Sequence, residues 1–182
     1  MKNDPVKIVV TGPESTGKTG IASHLSAVFK SPFIPEYARS YVEGLKRPYS
    51  YEDVEHIARV QQEQFEEMTT MNESLIILDT YLVITKIWFR EVYGRIPGWI
   101  DQKLPDSGID LFLLCYYDIR WVKDPVRENP GYRRKDLFDQ YRREIEHLGI
   151  PFFVVKGSGN QRFKNAESAI LYHFPHLKYL MQ

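Results

Sequence analysis

Val6-Lys7-Ile8-Val9-Val10-Thr11-Gly12-Pro13-Glu14-Ser15-Thr16-Gly17-Lys18-Thr19 is the stretch that decides the fold. Its first six residues are rich in β-branched side chains and read as a buried strand. The next eight satisfy G-x-x-x-x-G-K-[ST] at every fixed position, and a helical stretch from about Lys18 to Lys30 follows. A strand, a glycine-rich turn and a helix in that order are the context that marks a phosphate-binding loop. The glycines permit backbone geometry that turns several N–H groups toward one anion. The helix N-terminus adds unpaired donors and a partial positive charge. Lys18 is placed to reach the β- and γ-phosphates of a nucleotide, and the Thr19 hydroxyl to ligate Mg²⁺. Gly12, Glu14, Ser15, Thr16, Gly17, Lys18 and Thr19 are therefore the candidate residues for binding ATP, with a structural role the simpler one for Glu14. Gly20, just inside the helix, costs about 1 kcal/mol relative to alanine. Close packing against a neighbour is the expected reason for it.

Working outward, strands and helices alternate along the whole chain. Pro32 to Pro35 reads as a short second strand ending at Glu36, with a helix from Tyr37 to Glu43. Ser50-Tyr51-Glu52-Asp53 has the form of a helix N-cap. The helix it opens carries Val54, Ile57, Ala58, Phe65 and Met68 on one face and is expected to reach about Met71. Leu75 to Asp79 is a third buried strand ending in a carboxylate. Tyr81 to Tyr93 reads as a helix stopped by Gly94. Arg95 to Gly108 is mainly connection with room for a short helix. Asp110 to Tyr117 is a fourth strand, Asp136 to Leu148 a helix stopped by Gly149, Pro151 to Val155 a fifth strand, and Gln161 to Tyr172 the last helix. This alternation predicts a parallel sheet with helices on both faces and right-handed crossovers. The fold class is α/β, a P-loop NTPase in one domain over residues 1–182.

Composition narrows the function. The chain has 182 residues, with Lys+Arg 24 and Asp+Glu 24, so its formal net charge is zero. A neutral chain lacks the basic excess that drives binding to a phosphate backbone, which disfavours a nucleic-acid partner. A domain of this length buries roughly 70% of its unfolded surface and needs no disulfide or structural metal. The single cysteine, Cys115, lies in an apolar run and reads as a small buried hydrophobe. No apolar run approaches the roughly 20 residues that span a bilayer, and the N-terminus has no secretory leader. A cytoplasmic protein with a small-molecule partner and no membrane partner is expected.

Three further features carry chemistry. Asp79 at the end of the third strand is the candidate second ligand for Mg²⁺. Glu36, ending the second strand beside Arg39, is placed to accept a proton from an acceptor hydroxyl as general base. The segment Arg120 to Lys135 holds six basic and two acidic residues, net +4, and reads as an arginine-bearing lid over about 119–136. Arg127 and Arg133 flank its Pro130-Gly131 turn and are the candidates to neutralise charge in the transition state. Whether Arg133 or Arg134 points inward stays open.

Beyond the phosphate loop, Glu36-Tyr37-Ala38-Arg39-Ser40-Tyr41, Leu78-Asp79-Thr80 and Asp118-Ile119-Arg120-Trp121-Val122-Lys123-Asp124-Pro125-Val126-Arg127 follow in order. Together with that loop they resemble the nicotinamide riboside kinase domain of NadR-type proteins, over nearly the whole chain. The resemblance implies ATP-dependent phosphorylation of the ribose 5′-hydroxyl, giving nicotinamide mononucleotide for NAD biosynthesis. It also implies the sheet order 2-3-1-4-5 and a loop from Gly157 to Arg162 that packs near the adenine. The chain starts at the first strand of the kinase, so the DNA-binding and adenylyltransferase activities of NadR proteins are not expected of it.

A pyridinium is a flat cation that favours aromatic faces and carboxylates. Tyr37, Tyr41, Trp88, Tyr117 and Trp121, with Glu36, Asp79 and Asp118, are the candidate pocket edges. Tyr117 or Trp121 is the expected contact to the base, and Glu36, Tyr37, Arg39, Tyr117, Asp118 and Trp121 form the candidate substrate set. Lys18, Glu36, Asp79, Arg127 and Arg133 form the catalytic set. Two rivals stand: a kinase of another nucleoside-like acceptor such as a deoxynucleoside, and a nucleotide-binding regulatory module without an acceptor. No Asn-Lys-x-Asp guanine-reading motif is present, which weakens a GTPase.

Overall fold

The computed structural model describes residues 4–124, 129 and 131–181. Five strands form one parallel sheet: β1 (Val6–Thr11), β2 (Phe33–Ile34), β3 (Leu75–Asp79), β4 (Leu111–Cys115) and β5 (Phe152–Val155). Their order across the sheet is β2-β3-β1-β4-β5, as expected. Central strands of such a sheet are covered on both faces, which is why β3 and β4 are apolar at nearly every position and buried throughout.

Among the described residues the α-helices are α1 (Lys18–Phe29), α2 (Tyr37–Gly44), α3 (Tyr51–Thr69), α4 (Leu82–Tyr93), α5 (Gly98–Lys103), α6 (Arg134–Leu148) and α7 (Gly159–His173). Alternate strand residues serve opposite layers. Ile8, Val10, Ile77, Leu113 and Cys115 pack with Ile21, Leu25 and Phe29 of α1 and Ile170 of α7. Val9, Ile76, Leu78, Phe112 and Leu114 pack with residues of α3, α4, α5 and α6. The chain finishes in a 3-10 segment, Pro175–Met181, whose Leu177 is buried on the α1 and α7 side.

Boundaries moved by small amounts. The third helix stops at Thr69 and the fourth strand at Cys115, while α6 begins two residues early at Arg134. The Ser50 cap is present as a reciprocal box: Ser50 Oγ accepts from the Asp53 N–H, and the Asp53 carboxylate accepts from the Ser50 N–H at 2.7 Å. Arg47 also pairs with Asp53, and Tyr41 donates to it at 2.8 Å, so one carboxylate ties α2 to the start of α3. The Arg47 guanidinium, first among these donors, holds that carboxyl well below its usual range. Across the same layer, Lys86 of α4 pairs with Glu144 of α6 and with Asp101 of α5, fixing α4 against its neighbours. Among the described residues, no helix is long and apolar enough to cross a membrane.

Candidate active site

The turn between β1 and α1 needs glycine for two separate reasons. Gly12 has φ +135°, and a Cβ there would lie 2.8 Å from the Cys115 carbonyl oxygen, so the turn approaches β4 closer than any side chain permits. Gly17 caps α1 in the left-handed region at φ +76°. Inside the turn, the Thr16 hydroxyl donates to the Pro13 carbonyl at 2.7 Å and Lys18 Nζ donates to the same oxygen at 3.1 Å. Lys18 is thus folded back over the loop and buried at 8% exposure. Gly20 departs from expectation. A Cβ there would meet nothing within 4 Å, so the glycine serves no close packing.

Asp79 lies at the C-terminal end of β3 and is 1% exposed. Burial pushes its carboxyl up to about 6, against the pull of the nearby Thr19 hydroxyl and Lys18 ammonium. Among the described residues neither of its oxygens has a well-formed hydrogen-bond partner. A buried carboxylate with both oxygens unsatisfied, beside a threonine hydroxyl, is the donor set expected for Mg²⁺. Among the described residues no group of three acidic, histidine or cysteine side chains could hold a metal alone. The next residue, Thr80, has φ +72°, a rare conformation for a β-branched side chain. It is held there by its N–H to the Val10 carbonyl at 2.9 Å and by Gln61, which donates to its hydroxyl at 3.2 Å.

A cavity of about 400 Å³ joins the phosphate loop to an apolar region. Its walls include Pro13 to Gly20 at one end and Val42, Tyr49, Ile84, Ile87, Trp88 and Val92 at the other, with Glu36 and Arg39 of the α2 N-terminus also on its surface. Arg39 is engaged by Asp124 at 2.5 Å and Glu43 at 3.0 Å. Three carboxylates line the cavity, and two are occupied. Glu14 accepts from the Asn129 N–H at 3.1 Å and from its Nδ2 at 3.0 Å. Glu91 accepts from Gln140 at 2.7 Å and pairs with Arg133. The carboxylate of Glu36 has no hydrogen-bond or ion-pair partner among the described residues.

Among its described residues, the segment expected as a lid is tied to the phosphate loop at three points. Besides the Glu14–Asn129 pair, Ser15 Oγ accepts from the Val122 N–H at 3.0 Å, and Arg134 donates to the carbonyls of Ser15 and Ile119 at 3.2 and 2.8 Å. Arg133 lines the cavity, whereas Arg134 is 8% exposed and spends its guanidinium on these backbone carbonyls. Arg127 lies outside the described residues.

Of the residues singled out from sequence, Glu14, Ser15, Thr16, Gly17, Lys18, Thr19, Glu36, Arg39 and Arg133 share the cavity wall. Gly12, at the start of the loop, and Asp79 are not on that wall. The structure places Tyr37, Tyr117, Asp118, Trp121, Gly157 and Arg162 elsewhere. Tyr37 contacts His56 at the surface. Tyr117 packs on Tyr116 and Phe138, and its hydrogen bond with Tyr116 raises its hydroxyl to about 12. Trp121 packs against Gly131. Asp118 accepts from the Gly157 N–H at 2.7 Å and from Arg162 at 2.7 Å. Arg162, 4% exposed, also donates to the carbonyls of Gly157, Thr16 and Tyr116 at 2.8, 3.0 and 2.7 Å. It is a clasp joining β4, the phosphate loop and α7.

Sequence reasoning passed over Asn129, Glu91 and Tyr49. One signal was available for the wall of α4. Ile84, Ile87, Trp88, Glu91 and Val92 recur at helical spacing along the cavity, with Ile87 at the border to the buried face of Leu82, Val83, Lys86 and Phe89.

Comparison with known proteins bears on the family and the fold. The family described as an AAA domain matches residues 7–162. The trifunctional NAD biosynthesis/regulator protein NadR of Escherichia coli (strain K12) is 24% identical over 154 residues, covering 82% of this chain and 38% of that protein. Its counterpart in Salmonella typhimurium aligns to the same extent. The chain thus spans under half the length of the curated relatives it matches. A crystal structure of NadR protein in complex with NR superposes with TM-score 0.75 at 19% identity, over 93% of this chain and 50% of that one. Thymidylate kinase from Candida albicans superposes with TM-score 0.67 at 16% identity, over 98% and 94%. The chain belongs to the AAA domain family, resembles the kinase portion of NadR, and has the fold of the phosphate-loop kinases.

Proposed function

We propose that this protein transfers the γ-phosphoryl group of ATP to the 5′-hydroxyl of nicotinamide riboside, giving nicotinamide mononucleotide. The observation that carries the reading is the cavity itself: one space bordered by the phosphate loop, by a Glu36 carboxylate with no hydrogen bond or ion pair among the described residues, and by an apolar pocket. A regulatory ATPase needs the first of these and has no use for the other two. The resemblance to NadR, and the NR in the superposed NadR crystal structure, favour nicotinamide riboside as acceptor.

The roles follow from position. The loop N–H groups and Lys18 hold the β- and γ-phosphates, with Lys18 leaving the Pro13 carbonyl to do so. Thr19 and Asp79 would hold Mg²⁺, which supplies charge neutralisation between the phosphates. Glu36 accepts a hydrogen bond from the acceptor hydroxyl, orients it in line and takes its proton. Arg133, over the cavity on Glu91, neutralises charge as it spreads on the transferred group. The transition state is loose, so positioning and electrostatics outweigh base strength. Loss of Lys18 therefore costs more than loss of Glu36. The one buried cysteine, whose thiol burial pushes up to about 11, fits a reducing cytoplasmic setting.

The test is an ATP·Mg²⁺ reaction followed by mass spectrometry across nicotinamide riboside, deoxynucleosides and shikimate, with Lys18→Ala as control. Nicotinamide mononucleotide formed by the wild type and lost in the control is the expected result. A deoxynucleoside product alone would move the acceptor, and no product with ATP bound would replace the kinase reading with a regulatory one.

A further inference from the structure

We infer that Trp88, braced by Tyr49, is the specificity-determining surface that receives the aromatic base of the acceptor. The inference rests on the kinase reading above. Four observations lead to it. First, α4 carries two stripes. Leu82, Val83 and Phe89 are fully buried and belong to the core, whereas Ile84, Ile87, Trp88, Glu91 and Val92 line the cavity. Within that second stripe, at i, i+3, i+4, i+7 and i+8, Ile87 is itself a core residue, and Ile84 and Trp88 pack on the core while keeping part of their surface on the cavity, where a ligand can reach it. Second, that stripe stays partly open. Val92 is 48% exposed and Trp88 is only half-buried, although both are apolar and lie beside a cavity of about 400 Å³. Third, Trp88 is fixed without being covered. Tyr49 meets it edge to face, with ring centroids 4.9 Å apart and planes at 80°. An edge-to-face contact uses at most one face of the indole.

The fourth observation is the setting of charge. Among the described residues the Glu36 carboxylate makes no hydrogen bond or ion pair, and of the basic residues lining the cavity, Lys18, Arg39 and Arg133, the two arginines are held by other carboxylates. A flat, electron-poor cation matches an indole face in a cavity whose wall also carries a carboxylate. A neutral heterocycle gains the stacking alone, and an alicyclic alcohol gains neither. The geometry thus ranks acceptors as pyridinium nucleoside first, neutral nucleoside second and shikimate-like alcohol last. Tyr117 and Trp121, the aromatic residues that the sequence favoured for this contact, do not line the cavity.

The test compares wild type, Trp88→Leu and Trp88→Phe by steady-state kinetics, with acceptor and ATP varied separately. Losing a stacked base contact is expected to raise the acceptor KM of Trp88→Leu by about 5- to 100-fold. The ATP KM should stay within twofold, and Trp88→Phe should recover most of the loss. An acceptor KM within twofold of wild type in folded Trp88→Leu would overturn the inference. So would an equal rise in the ATP KM. If wild type turns over no acceptor, the kinase reading fails separately. Equilibrium dialysis of nicotinamide riboside against wild type and Trp88→Leu then decides the surface itself: binding that the variant loses supports it, and equal or absent binding overturns it.

Discussion

Replacing Arg162 with methionine separates two roles for the residue that the sequence placed near the adenine. The guanidinium is 4% exposed and makes four hydrogen bonds, to Asp118, Gly157, Thr16 and Tyr116. Methionine keeps the apolar stem and strands those acceptors. At a net ~1 kcal/mol for each bond the loss comes to about 4 kcal/mol. That falls within the ~3–5 kcal/mol seen when one partner of a buried ion pair is removed. A domain of this size has about 5–15 kcal/mol in total, so the variant folds but is weakened. Its thermal midpoint should drop by roughly 10 °C, at about 2–4 °C per kcal/mol. Urea unfolding followed by circular dichroism reads this directly, as a lower midpoint with an unchanged slope. A stability loss under about 1 kcal/mol, together with a large rise in the ATP KM, would refute the clasp and return Arg162 to the nucleotide.

Gly20→Ala should stabilise the protein by about 0.5–1 kcal/mol, because the helix gains propensity and the new methyl meets open space; thermal unfolding should rise by a few degrees, and a fall would mean that the position is crowded. At Thr80 the usual preference inverts: Thr80→Gly should be more stable than Thr80→Ala by about 1 kcal/mol, since only glycine accepts φ +72° without strain, and chemical denaturation of the two variants side by side checks it. Asp79 gives a signed pH dependence in metal-free protein. Between about pH 4 and 6 the folded chain keeps a proton on Asp79 that the unfolded chain releases, so the group's contribution falls as pH rises through that window and is flat above it. Asp79→Asn should therefore match wild type near pH 4 and exceed it by up to about 3 kcal/mol at pH 7, while losing any stabilisation by Mg²⁺; equal stability at pH 7 would contradict the buried, unsatisfied carboxylate.

The parallel sheet was legible because its signals are local. The β1 to Thr19 stretch combines a β-branched strand with a spacing that only a phosphate loop requires. Leu75 to Asp79 and the Ser50 capping box likewise declare themselves within five residues. Glu36 and Arg39 were legible as candidates because strand ends of a parallel sheet gather at one edge. What stayed hidden depends on direction and distance across the chain. Tyr117 lies two residues beyond the end of β4, yet whether its ring turns to the cavity or to Phe138 is decided by α6, which lies over it. Asp118 and Arg162 are 44 residues apart, and nothing in their spacing announces a clasp. Glu14 reads as an odd charge inside an anion-binding loop until Asn129, 115 residues away, is seen to hold it. The cavity stripe on α4 was present in the sequence, but a helix that is apolar on two faces reads as core until the sheet shows which face it buries.

On the proposed function, the space beside the phosphate loop couples ATP to an acceptor hydroxyl. The most direct measurement is the ratio of ADP formed to nucleoside phosphorylated, with nicotinamide riboside titrated at saturating ATP·Mg²⁺. The account predicts ADP release that rises with acceptor and stays equal to product, and that falls together with product in Glu36→Gln. ADP release that is indifferent to the acceptor, with no phosphorylated nucleoside, would contradict it.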